Sequence, residues 1–182
     1  MSSDPKHMSE AFAARWSALE ADTLPVSAGA RGRLMDAIAD AGRFERFVPE
    51  VAAMADVPEA TARGWLDDVW GTRPSWEMAA ANARAWWVEG GPRTRGALRG
   101  FVHVAAGQPF PHHKHLGEEL VLVLQGGATV STGERLRAGD RLTSAAGVEH
   151  DLVATARGPD LLVFTIIHQG LDFGRFVALP RD

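Results

Sequence analysis

The sequence predicts an α+β protein, with a helical region over residues 1–76 and a mainly antiparallel β domain over residues 77–182. Three observations carry that expectation. Apolar residues recur at helical spacing up to about residue 76. Beyond it they fall into short β-rich runs separated by glycine, proline or charged turns. The stretch GQPFPHHKHLGEELVLVLQG at 107–126 sets histidines and paired glutamates at the head of an alternating apolar run.

The helical elements follow in chain order. SEAFAARWSALEA is the first candidate helix. GRLMDAIADAG places Leu34 and Ile38 on one face, with Gly42 as a stop. In RFERFVPEVAAMAD, Phe44, Phe47, Val48 and Val51 stand at the i, i+3, i+4, i+7 interval of an amphipathic helix. DVPE then supplies an acid, a proline and, three residues after Asp56, Glu59, the pattern of a capping box. The helix after it carries Ala62, Trp65, Leu66, Val69 and Trp70 on one stripe. Two short helices joined by a turn are also the outline of a DNA-reading motif. Acidic side chains outnumber basic ones over residues 1–76, however, so phosphates would be repelled. The expectation is a helical bundle whose tryptophans pack on the neighbouring domain.

The strand candidates are ARAWWVEG, ALRGFVHVAAG, ELVLVLQGGATVST, DRLTSAAG, HDLVATARG and DLLVFTIIHQG. Short strands at regular spacing with no helix between them imply an antiparallel sandwich or barrel. GGPRTRG at 90–96 reads as a turn or loop; its glycines are wrongly spaced for a nucleotide-binding fingerprint.

Composition narrows the chemistry. Apolar residues make up 46% and charged residues 23%, enough for a packed core. The net charge of −4 and pI near 6.0 argue against nucleic acid or an anionic membrane as partner. With no cysteine, disulfides, thiolate catalysis and cysteine-bound metals are excluded, leaving histidine and carboxylate as the strong ligands. The N-terminus lacks a signal pattern and no apolar run reaches membrane-spanning length, so a cytoplasmic protein is expected.

In a strand, side chains at i and i+2 share a face, so His113 and His115 point together while His112 and Lys114 point away. If the strand resumes after the LG turn, Glu119, Val121 and Val123 share a face, with Glu118, Leu120 and Leu122 opposite. Two imidazoles and a carboxylate on the concave side of a barrel make three convergent ligands. His150, in AAGVEHDLV, is the natural fourth, from an adjacent strand. This mixed set suits a first-row divalent metal such as Zn, Fe, Mn, Ni or Cu and does not choose among them.

These residues resemble the cupin superfamily. Its first motif, a glycine, five residues, H-x-H, three or four residues, E, six residues and a glycine, is matched by Gly107, His113, His115, Glu119 and Gly126. In GDRLTSAAGVEH, Gly139, Gly147 and His150 match the second. Ala145 stands where that motif usually has proline, and Ala154 where it often has asparagine. The resemblance covers about residues 80–175 and implies a double-stranded β-helix with a metal inside its open end. HKHLGEELVLVLQGGATVSTGERLRAGD and GVEHDLVATARGPDLLVF are further similar to the cupin domain of ChrR-type anti-sigma factors. There a zinc-bound cupin follows an N-terminal helical domain that holds a second zinc by a histidine and two cysteines. This chain has His7 but no cysteine, so the N-terminal zinc site is absent and a sigma factor is a disfavoured partner.

His103 and His168 sit on apolar strands whose inward face alternation does not fix, and packing is the expected role of His103. Glu118 and His112 are expected at the solvent side. Phe101, Phe110, Phe164 and Trp86 are candidates for pocket lining, against plain core. Two functions follow. One is a ChrR-like regulatory or sensing protein with a protein partner, a small-molecule ligand in the barrel and a homodimeric state. The other is a small metal-dependent cupin dioxygenase or isomerase, with the metal as Lewis acid or oxygen-activating centre. No catalytic residue is assigned, and no arginine, lysine or tyrosine is committed to a substrate.

Overall fold

The computed structural model describes residues 42–180. The candidate helices before Gly42, with His7, lie outside the described residues. A short 3-10 turn, Glu45–Phe47, leads into α1 (Val48–Ala55), and α2 (Glu59–Asp68) follows. The strands are β1 (Glu77–Ala80), β2 (Ala83–Trp87), β3 (Ala97–Val104), β4 (Pro109–His115), β5 (Glu119–Gln125) and β6 (Gly127–Val130). They continue as β7 (Arg135–Arg137), β8 (Arg141–Ser144), β9 (Glu149–Ala154), β10 (Leu161–His168), β11 (Leu171–Asp172) and β12 (Val177–Ala178). Two antiparallel six-stranded sheets result, in the orders β1-β2-β3-β10-β5-β8 and β12-β11-β4-β9-β6-β7. This is the expected helical region followed by a cupin-type double-stranded β-helix. None of the described helices is long and apolar enough to cross a membrane.

The central strands explain why DLLVFTIIH carries no alternation. β10 lies between β3 and β5, with Phe164 opposite Phe101 on one side and Leu122 on the other. One face of β10, Leu162, Phe164 and Ile166, packs with α1 and α2; the other, Leu161, Val163, Thr165 and Ile167, faces the barrel interior. A strand apolar on both faces is covered on both. Phe44, Phe47, Val48 and Val51 of the expected stripe are buried on this sheet, together with Ala62 and Leu66 of α2 and Val69 just after it. Trp65 stacks on Phe164 at 6.4 Å between ring centroids. The helices therefore spend their apolar face on the barrel.

Two local expectations change. The capping box does not form: Pro58 precedes α2 without a side-chain cap. Asp56 instead closes α1 in the left-handed region, at φ 59°. Its carboxylate accepts the Arg93 amide at 2.9 Å and the Arg93 Nε at 2.7 Å. These bonds hold the Asp56 carboxyl below the usual carboxylate range. The two helices are so close in sequence that the residue read as a start signal serves as a stop. GGPRTRG is the loop that docks there, with the Gly91 amide donating to the Ala55 carbonyl at 2.8 Å. A Cβ on Gly91 would lie 1.9 Å from the Asp56 carbonyl oxygen, so only glycine fits.

Candidate metal centre

β4 and β9 pair antiparallel, with His113 directly opposite His150 and Phe110 opposite Leu152. Three steps along β4 thus match two along β9, so one extra residue is bulged at Pro111–His112. The bulge reverses the parity of the strand. Phe110 and His113, which alternation would place on opposite faces, both point inward. It also presents the Pro111 carbonyl to the ring it has turned. His113 Nδ1 lies 2.9 Å from that oxygen, which makes Nδ1–H the donor and leaves the Nε2 lone pair free.

After the bulge, alternation resumes. His113 and His115 are buried, while His112 and Lys114 are exposed beside Glu149. β5 delivers Glu119 to the interior and leaves Glu118 in solvent, as strand parity requires. One nitrogen or oxygen from each of His113, His115, Glu119 and His150 lies within 4.8 Å of the others, and all four residues are buried. The three imidazole rings have centroids 4.7–4.9 Å apart.

The cluster is polar yet poorly satisfied by its own members. His115 Nε2 and His150 Nε2 face each other at 3.3 Å. His115 Nδ1 is buried with no hydrogen-bond partner. It stands 3.4 Å from Glu119 Oε2, a distance that would count as an ion pair only with a protonated ring. Burial opposes that charge, aided by the neighbouring rings, and pushes His115 down to about 4. Burial likewise lowers His113 to about 4, against the pull of the Pro111 carbonyl, and lowers His150. Glu119 is pushed up to about 7 by burial, partly offset by Thr165. Neutral imidazoles, a carboxyl short of positive charge and an orphaned nitrogen fit a divalent cation, which His113, His115, Glu119 and His150 would hold.

Thr165 was not legible as a site residue. Its Oγ1 donates to Glu119 Oε1 at 2.8 Å, leaving Oε2 on the imidazole side. The available signal was a lone hydroxyl in an apolar run. Phe173, on the segment after β11, flanks the His113 ring at 5.7 Å between centroids. Beside the cluster lies a cavity of about 70 Å³, walled by residues such as Val102, Phe110, Val121, Val163 and Ile167.

The remaining candidates separate cleanly. Phe110 lines the cavity, whereas Phe101, Phe164 and Trp86 belong to the core under the helices. They sit on the outward parity of β2, β3 and β10. His103 shares that parity and is buried outside the cavity. Its Nε2–H donates to Asp160 Oδ2 at 2.9 Å, its Nδ1 faces Arg84 Nη2 at 3.4 Å, and Trp70 and Trp76 meet its ring edge-on. His168 ends β10, half-buried and apart from the cluster.

Residues 92–169 match the family described as the ChrR Cupin-like domain, and these residues hold all four clustered side chains. Over these residues the barrel resembles the cupin domain of ChrR-type anti-sigma factors. Among solved structures, the chain is similar to one in the crystal structure of Rhodobacter sphaeroides SigE in complex with the anti-sigma ChrR. Identity is 28%, coverage is 89% of this chain and 79% of that one, and the TM-score is 0.50. A cupin protein from Ralstonia eutropha JMP134 matches at 22% identity over 60% of this chain and 75% of its own, with TM-score 0.48. An acetylacetone dioxygenase from Acinetobacter johnsonii matches at 16% identity over 58% and 78%, with TM-score 0.47. No curated protein matches the chain.

Proposed function

We propose that this protein is a metal-binding regulator or sensor of the ChrR type. Its cupin domain holds one divalent cation, zinc in the first instance, through His113, His115, Glu119 and His150. The helical region engages a protein partner. The observation that carries this reading is the extent of the likeness to the SigE–ChrR structure. It covers 89% of the chain, more than the cupin segment 92–169 alone could supply. A cytoplasmic location and a homodimeric state belong to the same reading.

A cation at this site would supply a fixed positive charge beside Glu119, favouring the ionised carboxylate. His113 contributes Nε2, its tautomer set by the Pro111 carbonyl. Thr165 ties up Oε1 and turns Oε2 to the cluster. A second reading, a small metal-dependent cupin enzyme, is supported by the cavity beside the cluster. Fold alone does not choose between them.

The test is affinity capture with the full, metal-loaded chain, paired with elemental analysis of protein purified without added metal. Zinc at about one per chain, with a protein partner recovered at stoichiometric level, is the expected result. A redox-active metal, no partner and turnover of a small organic substrate would replace the regulatory reading by the enzymatic one.

A further inference from the structure

The two sheets end in four edge strands, and the edges are finished in two different ways. β7 and β8 form one pair of ends, β1 and β12 the other. Arg135 and Arg137 stand exposed on β7, and Arg141 on β8, where it pairs with Glu50 of α1. Charged side chains on an edge discourage another chain from settling there. Between β1 and β12 runs a groove of about 280 Å³ whose walls carry no such guard. Met78 is 69% exposed, Leu179 57%, and Phe176 and Val177 47% each, the largest exposed apolar group of the described residues. A patch of this kind marks a surface that another molecule covers.

The charges around the groove fit a second copy of the same chain. Glu77, on the β1 wall, is the one charged residue that lines it. Arg175, just before Phe176 of the β12 wall, is exposed and forms no ion pair among the described residues. A two-fold axis through the groove lays the β1 wall of one copy over the β12 wall of the other, so acid meets base twice. An axis through the β7–β8 side would set arginine against arginine. A head-to-tail contact, apolar edge on arginine edge, would take water from Arg135 and Arg137 and offer hydrocarbon in return. The contact that remains is isologous and closes at two copies. A stable dimer takes about 800 Å² from each partner around a mostly apolar centre, and this face supplies such a centre.

We propose that two copies of this chain meet at the β1–β12 side, around a two-fold axis that seats Met78 and Leu179 of each in the groove of the other and brings Glu77 to Arg175. β1 is bulged between Met78 and Ala80, and β12 has two residues, so side chains rather than a continued ladder hold the contact. The interface locates the homodimeric state of the functional reading and rests on that part of it; it needs neither a metal nor a second protein.

The chain has no cysteine, so a single introduced thiol reports on one position. Met78→Cys, Val177→Cys and Leu179→Cys in the full chain are each treated with a short bismaleimide, with Arg137→Cys and Thr143→Cys on the opposite edges as controls. Covalent dimers from the first three and none from the controls are expected. In sedimentation the unmodified chain should be a dimer. Val177→Asp or Leu179→Asp, both at exposed positions and with circular dichroism unchanged, should raise its dissociation constant at least about a hundredfold, which corresponds to about 2.7 kcal/mol. Arg175→Glu should weaken it about tenfold while Arg175→Lys does not; equal affinity in the two overturns the two-fold orientation. A monomer at every accessible concentration overturns the proposal and the homodimer together. A dimer that survives both aspartates, or cross-links from the control edges, overturns the proposal and leaves the homodimer standing. A foreign protein captured by an otherwise monomeric chain and lost with the aspartates assigns the face to that protein and overturns the second copy. Zinc content read on the same samples separates any of these failures from failure of the metal centre.

Discussion

His103 and the trio His113, His115 and His150 are all buried, within 7% exposure or less, yet they sit in opposite kinds of surroundings. His103 has a carboxylate on one nitrogen, a guanidinium on the other and two tryptophan edges around the ring. Within the trio, His113 Nδ1 has a backbone carbonyl as partner, the Nε2 atoms of His115 and His150 face each other, and His115 Nδ1 is buried without a hydrogen-bond partner. Burial therefore does not separate a packing histidine from a ligand. What separates them is whether the protein itself has satisfied both ring nitrogens.

The sharpest way to break this contrast is to exchange the consequences. His150→Ala should abolish stoichiometric metal binding and remove the stabilisation that goes with it. That stabilisation is about 4 kcal/mol when the metal is present at a thousandfold over its dissociation constant. His103→Ala should leave metal content unchanged. Elemental analysis and thermal melts of both variants decide it, and equal metal loss in both would erase the distinction.

A second measurement addresses the electrostatics of the metal-free cluster. His113 and His115 titrate near 6.5 when unfolded and near 4 when folded, so the unfolded chain takes up protons first as pH falls. Stability is therefore full above about 6.5 and is lost between 6.5 and 4, by about 3 kcal/mol for each imidazole. Glu119 acts oppositely: its proton is held up to about 7 rather than 4.5, so its contribution is present below 4.5 and fades as pH rises through 7. Two imidazoles outweigh one carboxyl. Urea midpoints of chelator-treated protein should fall from pH 6.5 to 4, and a flat profile would mean the rings are not held neutral. A third and smaller effect concerns Thr165. Replacing it with valine keeps the shape and removes the hydroxyl, so metal affinity should drop by about 10–100-fold in a chelator competition. Thr165→Ser should restore it.

Much of the cluster was readable because its logic is local. His113 and His115 share a face by strand alternation, Glu119 follows after a tight turn, and the spacings around Gly107, Gly126, Gly139 and Gly147 place His150 in the partner motif. The structure gathers these four, and the helical stripe of Phe44, Phe47, Val48 and Val51 is buried as expected. The failures were of another kind. Asp56 carries the same letters whether it caps α2 or binds Arg93, thirty-seven residues on. Phe101 and Phe110 are equally plausible pocket walls until the faces of their strands are known.

The amino-acid order alone determined the change from helical to strand periodicity, the pairing of residues two apart on one face, and the identity of the four cation-binding candidates. Each is a property of neighbouring backbone geometry. Only the folded chain decided which face of each strand is inside, that a bulge at Pro111–His112 turns His113 inward, that Thr165 holds Glu119, and that His103 is already spoken for. Those depend on partners 35–57 residues distant, and strand alternation fixes relative orientation while leaving its absolute sense to whatever packs on each side.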